Sequence, residues 1–222
     1  MDLERFKKKK LPDSPGVYFF LGRRKNVLYI GKATSLRGRV RSYFAPDLVE
    51  GRGQRIVNMV EEATSIDFRE TDSVLEALIL EANLIKTHRP RYNILEKDDK
   101  SFNYVVLTKE DFPRVLLVRG KELEPLWPAR RRLKVFGPFP HGLQLLEAMK
   151  LIRRIFPYRD DSCTPCGDAG NLNCKPCFNA QIGLCPGPCS GAMTKEEYRR
   201  RVRHLCLFFE GKKKALLREL ER

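Results

Sequence analysis

Gly16 to Gly31 reads GVYFFLGRRKNVLYIG, two apolar and aromatic runs separated by a polar connection. Gly16 to Phe20 and Val27 to Gly31 predict short strands, and Leu21 to Asn26 predicts the turn that joins them as a hairpin. Pro12 and Pro15 introduce a turn just before the first strand, after the basic run Lys7 to Lys10, which reads as a solvated arm. Beyond the hairpin, Ser35 is a good N-cap for a helix running to about Phe44. A second helix is predicted over Gln54 to Glu62 and a third strand over Ile66 to Thr71. The clearest helix spans about Asp72 to His88. Ser73 and Glu76 have capping-box spacing, and Arg89-Pro90 ends it. Its apolar residues lie nearly all round, so it should be substantially buried.

After Tyr92 the pattern turns to strands at Tyr104 to Leu107, Val115 to Val118 and Lys134 to Phe136, then a helix from Leu143 to Ile155. Thr194 and Glu197 repeat the capping-box spacing and open a helix expected to continue to the C-terminus. The expected architecture is α/β in the α+β sense. A domain over 1–100 carries a three-stranded antiparallel sheet flanked by helices. A smaller unit follows over 101–222, with a cysteine-rich segment at 163–189 and a basic terminal helix.

Composition bounds the function. The 222 residues are 42% hydrophobic and 32% charged, enough to bury a core. Lys plus Arg outnumber Asp plus Glu by 43 to 28, a net +15 that argues for a polyanionic partner, most often nucleic acid. No apolar stretch approaches the roughly 18–20 residues that span a bilayer. The charged start lacks the apolar segment of a secretory signal, which points to a cytoplasmic protein with no membrane partner.

Two constellations could do chemistry. Glu81 lies mid-helix among Leu80, Ala82, Leu84 and Ile85, where an ionised carboxylate is costly unless it meets a cation. A salt bridge and a metal ion answer that requirement equally well. Mg²⁺ is commonly held by one or two carboxylates plus substrate phosphate oxygens, so one Glu could suffice. The second set is Tyr18, Tyr29, Lys32, Arg39 and Tyr43. Tyr18 and Tyr29 fall on adjacent predicted strands, and Arg39 and Tyr43 share one helix face. Phosphodiester cleavage needs a base for water and positive charge on the developing phosphorane-like oxygens. Tyrosine, with a reference pKa of about 10, serves as a base only where cations stabilise its phenolate. Lys32, Arg37, Arg39 and Arg41 are candidates for that charge, and Arg37 and Arg41 for binding DNA phosphates. Packing tyrosines beside a phosphate-binding helix are the alternative reading.

Seven cysteines occur, six of them between Cys163 and Cys189. In a reducing compartment such a cluster more often binds metal than forms disulfides. Cys163-x-x-Cys166 and Cys174-x-x-Cys177 are separated by seven residues, shorter than the usual zinc-ribbon loop of about 12–20. Zinc and an iron–sulfur cluster both accept four thiolates. Cys206, on the predicted terminal helix, reads as a packing residue.

Gly16-Val17-Tyr18 and Tyr29-Ile30-Gly31 resemble the paired motif that names the GIY-YIG nucleases. Gly31-Lys32-Ala33, Leu36 to Phe44, Leu80 to Lys86, Arg89 to Ile94, Lys97 to Ser101 and Phe136 to Phe139 resemble, in order, the N-terminal half of the UvrC family of excinucleases. The resemblance covers nearly the whole chain. It implies a metal-dependent endonuclease of nucleotide excision repair that hydrolyses one phosphodiester, the 3′-side incision near a lesion, with Mg²⁺ or Mn²⁺. It gives Tyr29 the role of base, and Lys32 and Arg39 that of stabilising phenolate and transition state. Tyr18 and Tyr43 would orient water and phosphate, Glu81 would hold the divalent ion, and Asn93 would be a supporting polar residue.

Phe156 to Arg159, Lys175 to Cys177 and Ile182 to Cys189 resemble the family segment associated with a 4Fe-4S cluster. Cys177, Cys185 and Cys189 match its last three ligands. The family tends to place its first Cys just after the Arg, where this chain has Asp160 and Asp161; Cys163 is the expected replacement and Cys166 the alternative. The extra cysteines keep Zn²⁺ open. Members of the family continue into a segment that engages the repair protein UvrB, a second nuclease domain and helix-hairpin-helix motifs. Ending at Arg222, this chain reads as a stand-alone single-incision relative or a truncated one, with damaged double-stranded DNA and UvrB as implied partners. The rival from another class is a non-catalytic DNA-binding or redox-sensing module.

Overall fold

The computed structural model describes residues 10–45, 51–94, 102–159, 161–168 and 173–221. The lysine arm before Lys10, the block at 97–101 and Asp160 lie outside these residues. The chain divides into two compact units, Met1–Asp98 and Asp99–Arg222.

In the first unit, β1 (Gly16–Leu21) pairs antiparallel with β2 (Val27–Ala33) and, along its other edge, with β3 (Ser65–Glu70). The order β2-β1-β3 leaves β2 at an edge. The hairpin connection is a 3₁₀ turn over Arg23–Lys25, closed by a hydrogen bond from Gly22 N to Asn26 O at 2.8 Å. Opposed pairs are Tyr18 with Gly31, Phe20 with Tyr29, Val17 with Lys32 and Phe19 with Ile30. Because side chains alternate along a strand, one face carries Tyr18, Phe20 and Tyr29 and the other Val17, Phe19, Ile30 and Lys32.

The two faces have separate cores. The tyrosine face packs on Leu36 and Val40 of α1 (Leu36–Arg41), Ile56 and Met59 of α2 (Gln54–Glu62), and Tyr92 of α4 (Arg91–Ile94). The opposite face packs on Ala77, Leu84 and Ile85 of α3 (Val74–His88). Ser35 caps α1 by accepting from Gly38 N at 3.0 Å. The helix expected to reach Phe44 tightens after Arg41 into a 3₁₀ turn, Ser42–Phe44, that carries Tyr43. Ser73 caps α3 by accepting from Glu76 N at 3.1 Å, and Arg89 ends it in a left-handed conformation before Pro90.

The second unit, Asp99–Arg222, is the longer of the two. It has a core of its own: an antiparallel sheet ordered β5-β4-β6, from β4 (Asn103–Thr108), β5 (Val115–Arg119) and β6 (Arg132–Phe139). A short helix, α5 (Gly120–Leu126), stands between β5 and β6 where the sequence has no clear period. α6 (Gly142–Ile155) buries Leu145, Ala148, Met149 and Ile152. α7 (Phe178–Gln181) is a single turn in the cysteine segment. α8 (Lys195–Phe209) opens with the predicted Thr194–Glu197 capping box, and its Phe209 stacks on Phe136 with ring centroids 4.9 Å apart. It does not continue to the terminus. Gly211 takes a positive φ of 69°, which breaks the helix, and α9 (Lys213–Leu220) starts anew. Among the described residues no helix is long and apolar enough to cross a membrane.

Candidate active site and cysteine centre

The residues singled out in the first unit as catalytic or metal-holding gather at β2: Tyr18, Tyr29, Tyr43 and Arg39 on one face, Glu81 and Lys32 on the other, and Asn93 on the main chain of Ile30. Tyr18 and Tyr43 share a hydrogen bond between their hydroxyls, 2.7 Å, in a buried position. Tyr29 completes the aromatic group, its ring centroid 6.2 Å from that of Tyr18 and 6.4 Å from that of Tyr43. Arg39 Nε donates to the Tyr18 hydroxyl at 3.4 Å. On the other face, Glu81 is 2% exposed; its Oε1 accepts from Lys32 N at 2.8 Å, and its Oε2 lies 4.0 Å from Lys32 Nζ.

Electrostatics joins the two faces. Burial draws Lys32 below the ordinary lysine range, with Glu81 opposing the shift and the charge of Arg39 adding to it. Arg39 loses some basicity to burial, but Tyr18, Tyr43 and Tyr29 more than offset this and leave it above the usual range. The two cations therefore feel each other around the strand edge, and Arg39 feels all three phenols. Burial first, and then Tyr43, push Tyr18 well above 10.0, so its hydroxyl stays protonated and available as a donor.

The glycines of the paired motif are spatial requirements. A Cβ on Gly31 would fall inside the ring and hydroxyl of Tyr18, which lies across it. A Cβ on Gly16 would strike the carbonyl oxygen of Arg69 in β3. Asn93, 4% exposed, comes from α4 and bonds both main-chain groups of Ile30. It touches no tyrosine hydroxyl in these contacts; it fixes the strand that carries Tyr29.

The two arginines expected to meet DNA differ in their engagement. Arg37 is exposed, but its Nε donates to Leu11 O at 3.0 Å and ties α1 to the segment before β1. Arg41 is exposed one turn further along α1. Sequence reasoning missed Arg52, whose guanidinium lies 4.1 Å from the Tyr43 ring centroid and donates to Ser42 Oγ at 2.6 Å. Nothing in the run Gly51-Arg52-Gly53 marks it beyond its charge.

In the second unit the Sγ atoms of Cys163, Cys177 and Cys189 lie within 4.8 Å of one another, a group that could hold a metal ion. Cys185 joins them through a hydrogen bond with the Cys163 thiol; that bond and burial raise Cys163, and the same bond, against burial, holds Cys185 below the ordinary thiol range. The all-sulfur donor set suits zinc or an iron–sulfur cluster and not a hard cation. Cys166, the alternative first ligand, is instead joined to Cys174 by a disulfide across a Cα separation of 4.7 Å. That corrects the reading of Cys166 as a ligand and of all six cysteines as thiols. Arg159, which the sequence marks only as the end of the segment Phe156 to Arg159, has a structural role there. Buried beside the sheet, it donates from Nε to Cys163 O and from Nη1 to Glu110 Oε2 and Phe112 O, and so anchors the cysteine loop.

Residues 14–94 match the family described as the UvrC-like GIY-YIG domain, and residues 102–208 the UvrC/Cho excinuclease middle domain. A UvrABC system protein C from Desulforudis audaxviator is 42% identical over 217 residues, 97% of this chain and 33% of that protein. The protein of the same name from Thermus thermophilus is 44% identical over 211 residues, 95% of this chain and 33% of that protein. The chain thus spans about a third of the length of the curated relatives it matches. A crystal structure of the GIY-YIG N-terminal endonuclease domain of UvrC from Thermotoga maritima, bound to magnesium, is 39% identical. It covers 42% of this chain and 100% of that domain, with a TM-score of 0.37.

Proposed function

Because the chain belongs to the UvrC-like GIY-YIG family, we propose that it is a divalent-metal-dependent DNA endonuclease of excision repair that hydrolyses one phosphodiester bond on the 3′ side of a lesion. The observation that carries this reading is the placing of two groups on the two faces of one edge strand: Arg39, Tyr18 and Tyr43 in hydrogen-bonded contact beside Tyr29 on one face, and the buried carboxylate of Glu81 with Lys32 on the other.

Tyr29 takes the proton from the attacking water. A bond forms from the water oxygen to phosphorus, the bridging phosphorus–oxygen bond breaks, and the leaving alkoxide takes up a proton. Lys32 and Arg39 stabilise the phenolate of Tyr29 and the charge that builds on the non-bridging oxygens. Tyr18, held protonated, donates toward water or phosphate together with Tyr43. Asn93 is a positioning residue. A single buried carboxylate at Glu81 suits Mg²⁺ or Mn²⁺, which fill their remaining positions with water and phosphate oxygens. When bound, the cation draws charge from the phosphate. In the second unit Cys163, Cys177, Cys185 and Cys189 would hold a 4Fe-4S cluster, with Zn²⁺ as the alternative. Damaged double-stranded DNA is the proposed substrate and the excision-repair protein UvrB the proposed partner.

The test is nicking of end-labelled duplex carrying one bulky lesion, with divalent metal, with and without UvrB, beside Glu81→Ala. A Glu81-dependent cut on the 3′ side is expected. Equal cutting by Glu81→Ala would remove Glu81 from the site, and intact DNA binding with no cut in any condition would overturn the nuclease reading.

A further inference from the structure

Trp127, the only tryptophan of the chain, ends α5 and is half-buried among arginines: Arg131 lies 5.1 Å and Arg114 5.7 Å from its ring centroid. It sits where β4 leads toward β5. The main chain there is joined to the Ala129–Arg131 turn by a hydrogen bond from Lys109 N to Arg131 O at 2.9 Å. The acidic groups of this end are already engaged. Glu110 pairs with Arg114 and Arg159, Asp111 with Lys195 and Arg199, and Glu124 with Arg132. Lys109, Arg130 and Arg131 have no carboxylate partner among the described residues, Arg131 donating only to the backbone oxygen of Leu126 at 3.3 Å, so the surface keeps a positive surplus around one indole.

We propose that this end of the second unit binds unpaired DNA, with Trp127 stacking on a base and Lys109, Arg130 and Arg131 holding the adjoining phosphates. Guanidinium and ammonium groups bind phosphates of any sequence, and an indole face stacks on any base that has left its own stack. A duplex offers phosphates but keeps its bases stacked, so the indole selects a single strand or a melted segment. The choice of DNA rests on the nuclease reading; the location of the surface does not, since none of its residues belongs to the proposed active site.

The experiment is fluorescence anisotropy of a labelled single strand and of the matching duplex with the whole chain in EDTA, which silences cleavage. Trp127→Ala should weaken single-strand binding about tenfold and leave duplex binding nearly unchanged. Trp127→Phe should retain most of the affinity. Arg130→Glu/Arg131→Glu should weaken both and flatten the salt dependence for the single strand by about 1.4, the loss of two phosphate contacts. Thermal melting shows that each variant is folded, and the Phe variant covers a failure of the Ala variant. Wild-type single-strand affinity in Trp127→Ala, an equal loss for both DNA forms, or an unchanged salt slope in the charge reversal would each overturn the proposal. Trp127-dependent binding without any nicking would leave this surface standing and remove the nuclease reading; nicking with Trp127-independent binding would do the reverse.

Discussion

Asn93 holds Ile30 by both main-chain groups, Oδ1 accepting from Ile30 N and Nδ2 donating to Ile30 O, each at 2.8 Å. Ile30 lies between Tyr29 and Gly31 on an edge strand, so these bonds occupy the side of β2 that no neighbouring strand pairs.

Asn93→Ala therefore leaves two buried backbone groups without partners and should cost about 1–3 kcal/mol of stability, read by denaturant unfolding. Asn93→Asp keeps the acceptor and loses the donor. Both should lower kcat for nicking more than they raise KM, because Tyr29 loses its fixed placement. Wild-type kcat in either folded variant would show that β2 holds its course unaided.

Tyr29→Phe and Tyr18→Phe separate two roles. Removing the base should cut kcat by about 10²–10⁴. Removing the Tyr18 hydroxyl breaks the 2.7 Å bond to Tyr43 and frees Arg39, and should give a smaller loss with altered KM. Single-turnover nicking with excess protein measures both. If Tyr18→Phe is the more damaging, the assignment of base and orienting group is reversed.

Cys163→Ser and Cys166→Ser should behave differently. Cys163 sits within the sulfur group, while Cys166 is bonded to Cys174. Anaerobically purified wild type and Cys166→Ser should be brown with a visible absorption shoulder, and Cys163→Ser colourless. Metal analysis that finds stoichiometric zinc and no iron would replace the iron–sulfur assignment by the zinc one.

Glu110 gives the second unit a pH-dependent contribution. Burial works to raise its pKa, but hydrogen bonds from Arg114 and Thr108 and the charges of Arg114 and Arg159 outweigh it and hold the carboxyl below 4.5. A depressed folded pKa contributes stability that is present above the unfolded value, about 4.3, and lost as pH falls through the folded one. The melting temperature should drop as the buffer is taken below about pH 4.3. Glu110→Gln should start lower and fall less steeply over that window. Parallel curves for the two proteins would exclude this contribution.

The hairpin and α3 were legible because local signals suffice for them: a polar turn between aromatic runs, and a serine cap ahead of a helix apolar nearly all round. The pairing of Arg39 with Tyr18 was half visible, since the tyrosine chemistry requires a cation but not a particular one. Asn93 lies 63 positions from Ile30, so only the fold brings them together. Arg52 is an ordinary basic residue among 43, and Arg159 is marked in the sequence only as part of a motif; the roles of both come from the groups packed around them. The break after α8 turned on Gly211, which a capping-box reading of the N-terminus does not weigh. Arg37 is a DNA-contact candidate from its place in a basic helix, and its Nε bond to Leu11 O, 26 positions away, is a product of the fold that the helix pattern does not carry.

The alternation of β2 sets Tyr29 toward the phenols and Lys32 toward Glu81. A slip of this strand by one residue against β1 would exchange the two faces, turning the tyrosine toward α3 and the lysine into the aromatic core, without changing any amino acid. The proposed chemistry is thus encoded as a phase as well as a composition. A one-residue insertion or deletion within Val27–Lys32 should silence it and destabilise the first unit, whose two cores both draw on this strand, whereas the same change in the exposed Arg23–Lys25 turn leaves the phase intact.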